Sequence, residues 1–132
     1  MSGIVNSLMK AFLIFSICAG LATAGSYLII IDASGSMDEY LESGQTKIAA
    51  AKSAAKSFID KSGSNQIAIM RFSYCNDDGD PLSGDIRVTQ EFTTDKDDLK
   101  DAVDDIVTGG DTPIAEAIVE GREYIKDELG SG

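Results

Sequence analysis

The run "YLIII" at residues 27–31, followed at once by Asp32, limits what this chain can fold into. Five consecutive apolar residues with no polar alternation mark a strand covered on both faces, the kind found in sheets with helices packed on either side. The residues that follow support this, because apolar spacing changes period repeatedly along the chain.

Between Thr46 and Lys61 the period is helical: Ile48, Ala51, Ala55, Phe58 and Ile59 share a face, the lysines lie elsewhere, and Ser62-Gly63 ends the pattern. "QIAIMRFS" (66–73) predicts a second strand and the alternating "IRVTQEF" (86–92) a third. The connection between them, "YCNDDGDPLSGD", has the Asn, Asp, Gly and Pro content of a long hairpin loop. Its oxygen donors Asn76, Asp77, Asp78, Asp80 and Asp85 read as a solvated acidic loop rather than a full calcium site. Thr94 or Asp95 caps a short helix with Leu99, Ala102, Val103 and Ile106 as its buried stripe. After "TGGDT", a last helix starts at Pro113 and presents Ile114, Ala117, Ile118, Gly121, Ile125 and Leu129 on one face. Strands alternating with helices predict an α/β sandwich.

The amino-terminal residues differ in kind. Lys10, the apolar run "AFLIFSICAGLA" (11–22) and the small residues Ala22 and Ala24 have the layout of a signal peptide, residues 1–24, cut after Ala24. The run is too short to span a bilayer, so no stable membrane span is expected after cleavage. Ile17 before Cys18 is a poor match to a lipid-attachment signal, and Cys75 would be the only cysteine of the mature segment. The expected location is secreted, periplasmic or cell-surface.

Charge and composition narrow the chemistry. With 22 Asp and Glu against 11 Lys and Arg, the formal charge is −11, which disfavours nucleic acid and favours divalent cations and basic surfaces as partners. There is no histidine. Ser-His and Cys-His nucleophile pairs and the common zinc sites are therefore excluded.

Open α/β sheets bind ligands at the carboxyl ends of their strands, where Asp32 stands. In "DASGSM", Asp32, Ser34 and Ser36 alternate, and Gly35 permits a tight fold that can turn them towards one point. Carboxylate and hydroxyl oxygens suit Mg²⁺, Mn²⁺ or Ca²⁺. An EF-hand would need Gly at 37 and Glu at 43, where Met37 and Ser43 stand, and neither a Gly-Lys-Ser/Thr phosphate loop nor a Gly-x-Ser-x-Gly elbow is present. An Asx-type turn closing the strand explains the same local residues equally well.

Two separated motifs, "IIIDASGSM" and "GGDTPIAEAI", together with the elements between them, resemble the von Willebrand factor type A domain and its metal ion-dependent adhesion site. The resemblance runs from Tyr27 to about Leu129 and implies a Rossmann-like three-layer sandwich, with residues 25–132 forming a partial domain that lacks the strands after the third. It implies that Ser34 and Ser36 ligate a metal directly, Thr112 directly or through water, and that Asp32 holds the site mostly through water and hydrogen bonds. Mg²⁺, or Mn²⁺ or Ca²⁺, would be the ion, and a partner protein's Asp or Glu carboxylate the ligand. The family's later acidic residue is missing here. Asp111, beside Thr112, reads as an exposed loop acid, and Met37 as packing under the loop. The implied function is a metal-dependent adhesion or protein-binding module, not an enzyme. A surface-appendage or assembly subunit and a metal-assisted hydrolase or chelatase-type subunit are the alternatives. In the family's strand order the first strand would lose a neighbour, leaving an apolar edge open to pairing with another chain or segment.

Overall fold

The structure is a computed structural model that describes residues 24–73 and 86–130. The signal-peptide reading of residues 1–24 and the acidic loop with Cys75 lie almost entirely outside the described residues.

β1 (Ser26–Asp32) pairs in parallel with β2 (Gln66–Phe72), Ile29 opposite Ile69 and Asp32 opposite Phe72. β3 (Arg87–Thr93) joins β2 antiparallel, with register shifts on either side of Ile69, so the order is β1-β2-β3. Parallel pairing needs a crossover. Helix α1 (Lys47–Lys61) supplies it, with the Thr46 hydroxyl accepting the Ala49 N–H at 3.3 Å as its amino-terminal cap. At the other end, Gly63 has φ 64°, the left-handed turn that glycine takes without strain.

The principal core lies on one face of the sheet. Ile31, Ile67 and Ile69 meet Ala55 and Ile59 of α1, and Leu99 and Val103 of helix α2 (Lys96–Asp104), with Ile106 just beyond it. Asp95 caps α2 as expected, accepting the N–H groups of Asp97 and Asp98. Lysines hold the two helices together at the surface: Lys56 pairs with Asp104 at 2.7 Å and Lys100 with Asp60, where the Lys100 hydrogen bond holds the Asp60 carboxyl below its ordinary value.

Helix α3 (Ile114–Leu129) covers the opposite face, completing the three layers of an α/β sandwich. Gly121 lies directly over Leu28, Ile30 and Met70. The six-residue apolar stripe expected to be buried is buried only at Ala117 and Gly121, while Ile118 is 61% exposed and Ile114, Ile125 and Leu129 are also open. The cause is the extent of sheet beneath it: α3 crosses from β1 over β2 to Phe92 of β3, and no further described strand lies beside β1 to cover the rest of the stripe. Pro113 is buried at the cap position preceding the helix, not in its first turn. β1 is correspondingly half covered, with Ile31 at 4% exposure and Ile30 at 36%. Tyr27 meets Phe58 edge-on at the same margin. Among the described residues no helix is long and apolar enough to cross a membrane.

Candidate metal site

β1 ends at Asp32, and the parallel ladder continues one residue further, since the Ala33 N–H donates to the Phe72 carbonyl at 2.8 Å. This anchors the loop on the sheet. The Asp32 carboxylate then accepts the Ser34 N–H at 2.8 Å, an Asx-type contact that folds the chain back. Gly35–Asp38 forms one turn of 3-10 helix, in which the Met37 N–H donates to the Ser34 carbonyl.

That turn brings the Ser34 and Ser36 hydroxyls to 3.2 Å. Ser34 is 1% exposed and Ser36 is exposed, so the pair runs from the interior to the surface. Adjacent oxygens in an octahedron with metal–oxygen bonds of about 2.0–2.1 Å stand roughly 3 Å apart, and longer calcium bonds widen that spacing. The hydroxyl pair fits such a donor set. Among the described residues no three Cys, Asp or Glu side chains gather at one point, so any ion here would draw on the hydroxyls as well as carboxylate oxygen.

Thr112 comes from the loop between α2 and α3, and that loop is fastened to the first. The Gly35 N–H donates to the Gly110 carbonyl at 2.9 Å, and the Gly109 N–H to the Ala33 carbonyl at 2.8 Å. A methyl on Gly35 would stand 3.5 Å from the Gly110 oxygen, so the backbones nearly touch. The freedom expected of Gly35 is exercised instead by Gly110, whose φ is 71°. Thr112, exposed, stands two residues beyond this junction, and its carbonyl accepts the Ile114 N–H as α3 begins. Asp111 is exposed, and Met37 is half-buried.

The loops are joined once more, through side chains. The Thr108 hydroxyl donates to Asp38 Oδ1 at 2.6 Å across 70 residues of sequence. Neither residue carries a signal readable in the sequence, because both are solvated loop positions outside the D-x-S-x-S and Gly-Gly-x-Thr patterns.

The profile of the von Willebrand factor type A domain matches residues 27–130. Comparison with curated proteins finds no significant match. Among solved structures, a membrane-spanning protein of uncharacterised role from Vibrio fischeri superposes with a TM-score of 0.66 at 18% identity, over 83% of this chain and 52% of that one. The von Willebrand factor domain of the type V pili tip protein Mfa5 from Porphyromonas gingivalis gives 0.63 at 14% identity, over 80% and 34%. The PilB minor pilin from Streptococcus sanguinis gives 0.61 at 12% identity, over 83% and 28%. This chain thus spans about half or less of each of these proteins. Profile, sheet topology and superposition agree, and the chain belongs to the von Willebrand factor type A domain family.

Proposed function

We propose that this chain is a divalent-metal-dependent protein-binding module of an exported protein, and that it acts by binding rather than by catalysis. The observation that carries the reading is the Ser34–Ser36 hydroxyl pair, 3.2 Å apart at the carboxyl end of a parallel strand, with the loop of Thr112 joined to it. Ser34 and Ser36 would hold Mg²⁺, or Mn²⁺ or Ca²⁺, with Thr112 as a third oxygen donor. Asp32 keeps Ser34 in place through the backbone N–H it accepts. A divalent ion held mainly by neutral oxygens retains positive charge and an exchangeable position, and so supplies attraction for an Asp or Glu carboxylate of a partner.

Export is supported by the signal-like residues 1–24, and by the pilus tip protein and minor pilin among the structural relatives. Those two relatives also favour a second reading, a subunit of a surface appendage. A hydrolase is disfavoured by Ser34, which stands where an Asp-x-Asp nucleophile motif would need its second acid. The open side of β1, with Tyr27 and Ile30 exposed, is the place where a strand of another segment or chain would pair.

The test is thermal unfolding in millimolar Mg²⁺ or Mn²⁺, against a monovalent salt matched in ionic strength. A ligand at a hundred times its Kd stabilises by about 2.7 kcal/mol, several degrees for a domain of this size. The gain should vanish with chelator and in Ser34→Ala and Thr112→Ala. An equal metal response in wild type and both variants would sink the assignment.

A further inference from the structure

The loop carrying Ser34 and Ser36 and the loop carrying Thr112 come from opposite ends of the chain, and their relative position depends on a short seam. Two of its bonds are backbone bonds, Gly35 to Gly110 and Gly109 to Ala33. These bonds constrain only the stretches nearest β1. The second loop passes through glycines at 109 and 110, the latter in the left-handed region, and glycine offers the least intrinsic backbone restriction to displacement.

The third bond lies outside that glycine pair. Thr108 donates to Asp38 Oδ1 at 2.6 Å, connecting the last residue of the 3-10 turn to the residue immediately before Gly109. Asp38 is also tied to its own loop from behind: the next residue, Glu39, accepts the Lys47 N–H through its carbonyl at 2.9 Å, and its carboxylate pairs with the Lys47 ammonium at the start of α1. Thr108 is half-buried and follows Ile106, a core residue at 4% exposure, by two positions. Both ends of the bond are therefore mounted on supported backbone. A bond to a charged acceptor between two such points resists loop separation better than one between two free side chains.

We propose that Asp38 and Thr108 are positioning residues, a latch that holds the Gly109–Thr112 loop against the Ser34–Ser36 turn. Through the latch the third donor is kept in register with the first two. The metal-affinity part of this inference rests on the binding function proposed above, whereas the loop-ordering part does not.

The experiment uses the full chain with Thr108→Val, which removes the donor at nearly constant shape, and Thr108→Ser, which keeps it. Asp38→Ala and Asp38→Asn form the matching pair for the acceptor. Amide hydrogen exchange at Gly35 and Gly109, measured without divalent metal, reads the latch itself. Loss of one hydrogen bond should speed exchange there by about two- to tenfold in Thr108→Val and Asp38→Ala. Ile69 in β2 should remain unchanged, Thr108→Ser should stay near wild type, and Asp38→Asn, which keeps an acceptor oxygen without the charge, should fall between wild type and Asp38→Ala. Mn²⁺ titration of the same proteins should show a matching rise in Kd, and the Thr108→Val, Asp38→Ala double variant should be no worse than either single one.

Unchanged exchange at Gly35 and Gly109, or equal acceleration in Thr108→Ser and Thr108→Val, overturns the latch. Faster exchange with an unaltered Mn²⁺ Kd overturns its positioning role. If wild type and Ser34→Ala alike take up no Mn²⁺, the metal reading fails and the exchange data alone decide whether the latch orders the loops.

Discussion

Tyr124 lies over Phe92 with ring planes 6° apart and centroids 5.6 Å apart, bringing α3 against the last strand. Its hydroxyl oxygen is buried with no hydrogen-bond partner of good geometry among the described residues. Burial raises its pKa above the ordinary tyrosine value, with Glu128 and Glu91 adding to the shift, and the weak pull of the Phe92 backbone does not offset them. The neutral form is the one the fold favours. Its stabilisation is therefore complete below the unfolded tyrosine pKa, about 10, and is lost as pH rises through the higher folded value. Tyr124→Phe should flatten the alkaline limb of a plot of unfolding free energy against pH, and an unaltered limb would contradict this. Single residues were legible in the sequence where chemistry and spacing coincide. Asp32, Ser34 and Ser36 stand at every second position after a strand, and the structure does bring the two hydroxyls together. Tyr124 against Phe92 and Asp38 against Thr108 were not legible, because each contact depends on how distant elements dock.

Between elements, α3 comes close to β1 at Gly121. A Cβ on Gly121 would meet Ile30 Cδ1 at 2.8 Å and Leu28 Cδ2 at 3.2 Å. Ile30 is 36% exposed at the sheet margin, so the end of its side chain can swing aside for one methyl. Alanine would also gain up to about 1 kcal/mol of helix propensity. Gly121→Ala should therefore fall within about 0.5 kcal/mol of wild type, whereas Gly121→Val should cost about 1–3 kcal/mol through overpacking. Urea unfolding midpoints decide it, and a Val variant as stable as the Ala variant would refute the close approach. Strands and helices followed from periodicity to within a residue or so, since apolar side chains at period 2 or 3.6 must face the core to fold at all. The stripe of α3 is less buried than its periodicity predicts for a related reason. Period reports which residues share a face, while the extent of burial depends on how much sheet lies beneath.

Across the whole molecule, acids outnumber basic residues two to one. Lys56–Asp104, Lys100–Asp60 and Lys47–Glu39 are surface pairs of small individual weight, and with all basic residues counted the net charge is still −11. Self-repulsion opposes the compact state. Raising choline chloride to about 0.15 M, where the Debye length is about 8 Å, should increase the melting temperature without any divalent ion. A decrease would mean that the lysine pairs outweigh the repulsion.

The seam between residues 33–38 and 108–110 also governs when the candidate site can come into being. Its bonds join positions some 70 residues apart, with β1, α1, β2, β3 and α2 supporting or separating them, so closing them without that core would carry the entropic cost of a long loop. Such non-local contacts follow the chain's large entropic loss instead of preceding it. A chain whose core has not packed lacks the supports that set the Gly109–Thr112 loop beside the Ser34–Ser36 turn, so competence at this surface depends on the core beneath it.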